Sequence, residues 1–167
     1  MKREILKNAG LLNEIVETVE AVFEQGLKDP SQENFDKLMK IDKKGYYIYL
    51  AGDEWKQFDF KKGFDKLLEV DKDGFYIYLA GADWKQFDYK KGFDKLLEVD
   101  KEGESIYRAG TDWKHFDHKK GLKKLSELSD KDYYKFALKN WPKSATEKLN
   151  QTEKQDEVKI PTKRKKL

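Results

Sequence analysis

In the stretch YIYLAGDEW (47–55), Ile48, Ala51, Gly52 and Trp55 stand at i, i+3, i+4 and i+7. That spacing lines one face of an α-helix, with Tyr49 beside it. In the following stretch FKKGFDKLLEV (60–70), Phe60, Phe64, Leu67 and Leu68 form a second stripe at i, i+4, i+7 and i+8. Neither stretch shows the sustained period-2 alternation of a half-buried strand. Asp59 stands where a helix N-cap is expected. Asp71-Lys72-Asp73-Gly74 ends the second stripe, and Gly74 is suited to a positive φ. The pattern predicts two short helices joined by tight turns. The β-favouring letters Tyr-Ile-Tyr keep an αβ repeat as the minority alternative.

The same pattern is written three times. Trp55, Trp84 and Trp113 recur at one constant interval, which Gly52, Gly81 and Gly110 share, as do Asp59, Asp88 and Asp117. KKGFDKLLEVDK occurs unchanged at 61–72 and 90–101. A constant period of this size marks a stacked architecture in which each unit buries its stripe against its neighbours. Helices of ~10–12 residues are marginal alone in water, so the stacking stabilises them. The three tryptophans are expected to anchor the core between units. Glycine inside a helix costs about 0.5–1 kcal/mol relative to alanine. Its retention at 52, 81 and 110 predicts a close helix–helix approach, and Gly63, Gly92 and Gly121 are assigned the same role on the other helix.

Partial copies flank the full ones. NFDKLMKIDKKG (34–45) matches the later part of the unit, and DYYKFALKNW (132–141) places Tyr134, Ala137 and Trp141 on Ile106, Ala109 and Trp113. Such degenerate ends are what capping units look like. An amphipathic segment at 3–27 is expected to close the first repeat, with Asn8-Ala9-Gly10 as a point where it can break. The expected fold is therefore all-α, a right-handed-type α-solenoid of 29-residue helix-turn-helix repeats with degenerate end caps. Its parts are a cap at 1–29, repeats at about 30–58, 59–87, 88–116 and 117–142, and a disordered basic tail at 143–167.

Composition adjusts this picture. Charged residues are 40% and hydrophobic residues 38% of the chain, which suits an elongated fold with much surface per residue better than a thick globule. The formal net charge is only +3. The tail accounts for more than all of it, with eight Lys or Arg against four acids. No cysteine is present, so disulfides and thiolate metal sites are excluded. No apolar run approaches the ~20 residues that span a bilayer, and no signal-peptide core is evident. A monomeric cytoplasmic protein is the expectation, nuclear if the tail acts as an import signal in a eukaryotic cell.

Chemistry is sparse. There is no phosphate-binding loop, dinucleotide loop, HExxH or nucleophile–base arrangement, and no enzyme activity or cofactor is expected. His115 and His118 are spaced i, i+3, as metal ligands can be. They replace Gln57 and Gln86, and Phe60 and Tyr89, in the other copies, so no metal site is assigned. Candidate binding residues come from the repeat instead. Tyr46 and Phe75, with Glu104 as their third equivalent, form a column that varies and accepts charge. The column Phe60, Tyr89, His118 varies too. Lys61-Lys62, Lys90-Lys91 and Lys119-Lys120 make a ladder that stacking would align into a stripe able to track phosphates. Asp65 and Glu69, with Asp94 and Glu98, stand about one turn on and can neutralise it, but Lys123 replaces that Asp in the last copy. Lys163, Arg164, Lys165 and Lys166 make a short basic run that reads as an import signal, a phosphate-binding arm or a solvating tail.

The unit FDFKKGFDKLLEVDKDGFYIYLAGADWKQ (58–86) resembles the short two-helix tandem repeats of uncharacterised bacterial and bacteriophage proteins, over about residues 34–141. The resemblance implies an α-solenoid used as a recognition scaffold and implies no activity. The copies here are unusually alike, which points to recent duplication or design. The functional expectation is a non-enzymatic protein that binds a protein partner through a repeated helical surface. The alternative is a nucleic-acid-binding protein that uses the lysine ladder and the tail.

Overall fold

A computed structural model describes residues 10–144, with side chains from 18 on. Among these residues are nine α-helices: α1 (Gly10–Lys28), α2 (Gln32–Ile41), α3 (Tyr46–Glu54), α4 (Phe60–Val70), α5 (Phe75–Asp83), α6 (Tyr89–Val99), α7 (Glu104–Asp112), α8 (His118–Glu127) and α9 (Asp132–Asn140). The odd-numbered helices pack side by side in chain order, α1 on α3, α3 on α5, α5 on α7 and α7 on α9. Each even-numbered helix lies against the helix before it and the one after it. This is an all-α, solenoid-like stack of two-helix units. No described residue is in a strand, so the αβ alternative is wrong. The β preference of Tyr and Ile is overruled because burial on a helical face decides the backbone: Ile48 and Ala51 are fully buried.

Two local devices set the helix boundaries. Asp59, Asp88 and Asp117 cap the even helices α4, α6 and α8, their carboxylates accepting from the N–H of Lys62, Lys91 and Lys120. The odd helices α3, α5 and α7 start differently. The buried Asp42, Asp71 and Asp100 each end one helix and begin the next. The Asp71 N–H donates back to the Leu67 carbonyl at 3.0 Å. Its side chain then accepts from the Gly74 N–H at 3.1 Å and the Ile77 N–H at 2.8 Å. Asp100 repeats this on Gly103 and Ile106 at 2.7 and 2.9 Å. The glycine between carboxylate and helix must be left-handed: Gly45, Gly74 and Gly103 have φ of 89°, 83° and 92°. Burial pushes the Asp71 carboxyl up to about 6, and the neighbouring Asp73 adds to this, against the pull of the two N–H donors.

The predicted N-terminal helix over 3–27 is seen as α1 from Gly10 on; the residues before it lie outside those described. The tail assigned to 143–167, including Lys163, Arg164, Lys165 and Lys166, also lies outside the described residues, except that the backbone at Lys143 and Ser144 is helical. Among the described residues no helix is long and apolar enough to cross a membrane.

Candidate binding surface

Each unit is locked to the next by one tryptophan. A Cβ built at Gly52 would lie 2.2 Å from Cε2 of Trp84, and one at Gly81 would lie 2.3 Å from the same atom of Trp113. At Gly110 the intruding atom is Cζ2 of Trp141, at 2.2 Å. The glycines admit the indole of the following unit rather than the backbone of a neighbouring helix, which corrects the helix–helix explanation. The indole N–H then donates to a carbonyl on the preceding odd helix, Trp84 to Tyr49 at 3.0 Å and Trp113 to Tyr78 at 2.9 Å. Gly63, Gly92 and Gly121 have a different partner again. They make room for Phe58, Phe87 and Phe116, the phenylalanine of the turn that leads into their own helix.

The first joint uses a glycine outside the repeat. Gly26 in α1 faces Trp55 so closely that a Cβ would meet Cζ2 at 1.9 Å. Trp55 is buried, and its Nε1 has no hydrogen-bond partner among the described residues. At the other end Leu138 occupies the place of Gly52, Gly81 and Gly110. All four tryptophans of the chain are thus seated in four glycine notches, and α9 offers no notch.

A second bond crosses each of the three later joints nearer the surface. Tyr49 donates its hydroxyl to Asp83 at 2.6 Å, and Tyr78 donates to Asp112 at 2.6 Å. At the last joint Asn140 donates to the Tyr107 oxygen at 3.0 Å. Burial and the partner carboxylate raise Tyr49 and Tyr78 above the usual tyrosine value, Tyr78 to about 12. An unfolded tyrosine loses its proton near pH ~10. Between that value and the raised one the folded chain holds a proton that the unfolded chain has lost, so stability falls as pH rises. In Tyr78→Phe that fall is expected to flatten when urea unfolding is compared at about pH 9 and about pH 11.5. Below that window the variant should be weaker by about 1 kcal/mol for the lost hydrogen bond.

These bonds underlie an aromatic outer face. The exposed large aromatics among the described residues are Tyr46 (43%), Phe75 (41%) and Phe136 (48%), all on odd-numbered helices. Tyr46 touches Tyr76 at a ring separation of 5.8 Å, and Phe75 continues the run to Tyr76 and Tyr78 at 5.5 and 6.3 Å. Tyr107, Tyr133 and Phe136 form a second cluster, each pair about 6 Å apart. The column Phe60, Tyr89, His118 does not belong to this face. Phe60 and Tyr89 pack edge-on against Trp84 and Trp113 at 5.7 Å, and His118 takes the same place on Trp141 at 5.1 Å. His118 Nε2 also lies 2.9 Å from the Gly110 carbonyl oxygen. His115 lies over Tyr89 at 5.3 Å. Among the described residues no group of three His, Asp or Glu is arranged to hold a metal.

The lysine ladder is exposed throughout. Its first two rungs have acidic neighbours: Lys90 pairs with Asp94 at 2.8 Å, Lys91 reaches across the joint to Asp65 at 3.7 Å, and Lys62 lies 3.8 Å from Asp59. Among the described residues Lys61, Lys119 and Lys120 make no ion pair within 4.0 Å. Open grooves of about 800 and 510 Å³ run between successive units beside this ladder, the first lined by Lys61, Lys91 and Lys114 and the second by Lys90, Lys114 and Lys120. No protein-family model matches the chain, and neither a curated protein nor a solved structure matches it.

Proposed function

We propose that this chain is a non-enzymatic binding protein that presents the outer face of its odd-numbered helices to a protein partner. The observation that supports this reading is the placement of every exposed large aromatic ring, among the described residues, on that one row. Rings left in water at a recurring position are unfavourable unless something covers them, and aromatic residues are enriched at the centres of protein interfaces. A monomeric array fits the closed ends, since α9 has Leu138 where a further unit would need glycine. Kinship with bacterial and bacteriophage two-helix repeats rests on the motif pattern alone.

The test is affinity capture with the full chain and with Tyr46→Ala/Phe75→Ala. Each substitution should change folding stability by no more than about 0.5–1 kcal/mol, because both rings are exposed. Partners held by wild type through a salt wash and lost by the variant are the expected result. Equal capture by both chains would remove the aromatic face from the account. The second reading, nucleic-acid binding, is favoured by one observation. In α8 Lys123 stands where Asp94 pairs with Lys90 one unit earlier, leaving Lys119 without an ion pair among the described residues, while Lys120 acts on Asp94 across the joint. It requires steep salt dependence and loss of affinity in Lys119→Ala/Lys120→Ala.

A further inference from the structure

Helices α3, α5 and α7 carry Asp53, Glu54, Asp83, Glu104 and Asp112 and one base, Arg108. The charged groups acting on Tyr47, Tyr49, Tyr76, Tyr78 and Tyr133 include Glu20, Asp53, Asp73, Asp83, Glu104 and Asp112, and the cation among them is Arg108. Arg108 is therefore informative. Its charge acts on the Tyr78 hydroxyl, at the joint where Tyr78 donates to Asp112. Its guanidinium is also held by Glu104, with Nε and Nη2 at 2.9 and 2.8 Å from one carboxylate oxygen. A guanidinium tied to Glu104 thus acts on the hydroxyl of a tyrosine–aspartate pair at the α5–α7 joint.

One unit earlier the same joint lacks its cation. Tyr49 donates to Asp83 as Tyr78 does to Asp112, but the residue equivalent to Arg108 is Leu79. The surroundings are richer there. Tyr76 lies nearly parallel to Tyr49 at 6.4 Å, Tyr46 lies 5.8 Å from Tyr76, and the exposed Asp53 acts on Tyr49. Asp53 makes no ion pair within 4.0 Å among the described residues. Flat electron-rich rings beside two carboxylates are what a planar cation prefers. It stacks on the ring and hydrogen-bonds the acid at the same time.

We propose that the outer face of the α3–α5 joint, built from Tyr46, Tyr49, Tyr76, Asp53 and Asp83, binds an arginine side chain of a partner polypeptide over Leu79, where Arg108 supplies the cation from within the chain one unit later. This deepens the protein-binding reading and rests on it. The partner is a basic, arginine-bearing segment, and its remaining contacts fall on the rings of Phe75 and Tyr46 beside this site.

The experiment uses the full chain and a labelled short peptide of alternating arginine and glycine, followed by fluorescence anisotropy. Saturable binding is expected, and a glutamate–glycine peptide should not bind. Leu79→Arg supplies the cation in cis, as Arg108 does, and is expected to weaken the peptide about tenfold or more. Asp53→Asn/Asp83→Asn removes both charges, keeps an amide oxygen to accept from the Tyr49 hydroxyl, and should weaken binding by about tenfold, which keeps the test valid if Leu79→Arg folds poorly. Failure of wild type to bind, or undiminished binding by the Asp53→Asn/Asp83→Asn variant or by a folded Leu79→Arg chain, overturns the arginine site. Partner capture that depends on Tyr46 and Phe75 but is indifferent to Leu79→Arg would sink the arginine site and leave the protein-binding reading standing.

Discussion

Gly81→Leu is expected to move urea unfolding to a far lower midpoint, with a loss of about 3–5 kcal/mol, a large share of a domain's usual stability. The first side-chain carbon alone would enter the Trp113 ring, 2.3 Å from Cε2. The indole cannot slide aside at little expense. Its N–H is held by the Tyr78 carbonyl at 2.9 Å, and Phe87 and Tyr89 pack edge-on against it at 5.1 and 5.7 Å. Ejecting the ring forfeits its burial, which is the size of a Trp→Ala loss. The decisive control is the double variant Gly81→Leu/Trp113→Ala. Leucine then occupies space that the indole has vacated, so the two losses should fall short of their sum by about 2 kcal/mol or more. A wild-type midpoint in Gly81→Leu, or additive losses in the pair, would show that the notch is not what joins α5 to the following unit.

Asp100→Ala is the other large effect, at about 2–4 kcal/mol. Its carboxylate is buried and accepts from the N–H of Gly103 and of Ile106, with Glu102 adding a third donor at 3.1 Å. Removing it leaves donors of the first turn of α7 without partners inside the stack, at about 1–3 kcal/mol for each buried one. It also takes a negative charge from the positive end of the helix. Asp88→Ala is the internal reference. Asp88 caps α6 from an exposed position by one backbone contact, and its loss should be near ~1 kcal/mol. Urea unfolding of the two variants in one buffer settles the comparison. Equal losses would mean that the buried carboxylate is only an ordinary cap.

The stack is legible in the sequence because its cause is periodic. Ile48, Ala51, Gly52 and Trp55 recur once per unit on one helical face, and each is buried. The caps at Asp59, Asp88 and Asp117 are legible because a single side chain acts on an N–H just ahead of it in the chain. What crosses a joint is not. Trp84 fills the notch at Gly52, which is the equivalent of Gly81 and not of Trp84. A comparison of like with like, copy against copy, never sets those two side by side. Gly26 escapes for a related reason, because α1 carries no copy of the repeat. Asp42, Asp71 and Asp100 look like helix breakers, since a sequence pattern does not reveal that a carboxylate is buried. The column Phe60, Tyr89, His118 misleads because variation there does not mean exposure. All three rings meet one demand, an edge against the next tryptophan. For the candidate surface, the aromatic column at Tyr46 and Phe75 can be named from the chain, but its acidic setting depends on Asp83 and Asp112, which reach their tyrosines only when the units stack.

Leu138 and Gly26 give the array the properties of a terminated polymer. Each interior unit carries a plug on one side and a receptacle on the other, so identical units could add without limit, within one molecule or between molecules. Helix α1 has only a receptacle, with Asp29 standing after Gly26 where the repeat sets tryptophan after its glycine, and α9 has only a plug. The series of plugs and receptacles therefore stops at α1 and at α9. The number of interior units can change by duplication or loss of one whole unit while both terminators stay in place, so arrays of different length remain available to a lineage without the hazard of filament formation.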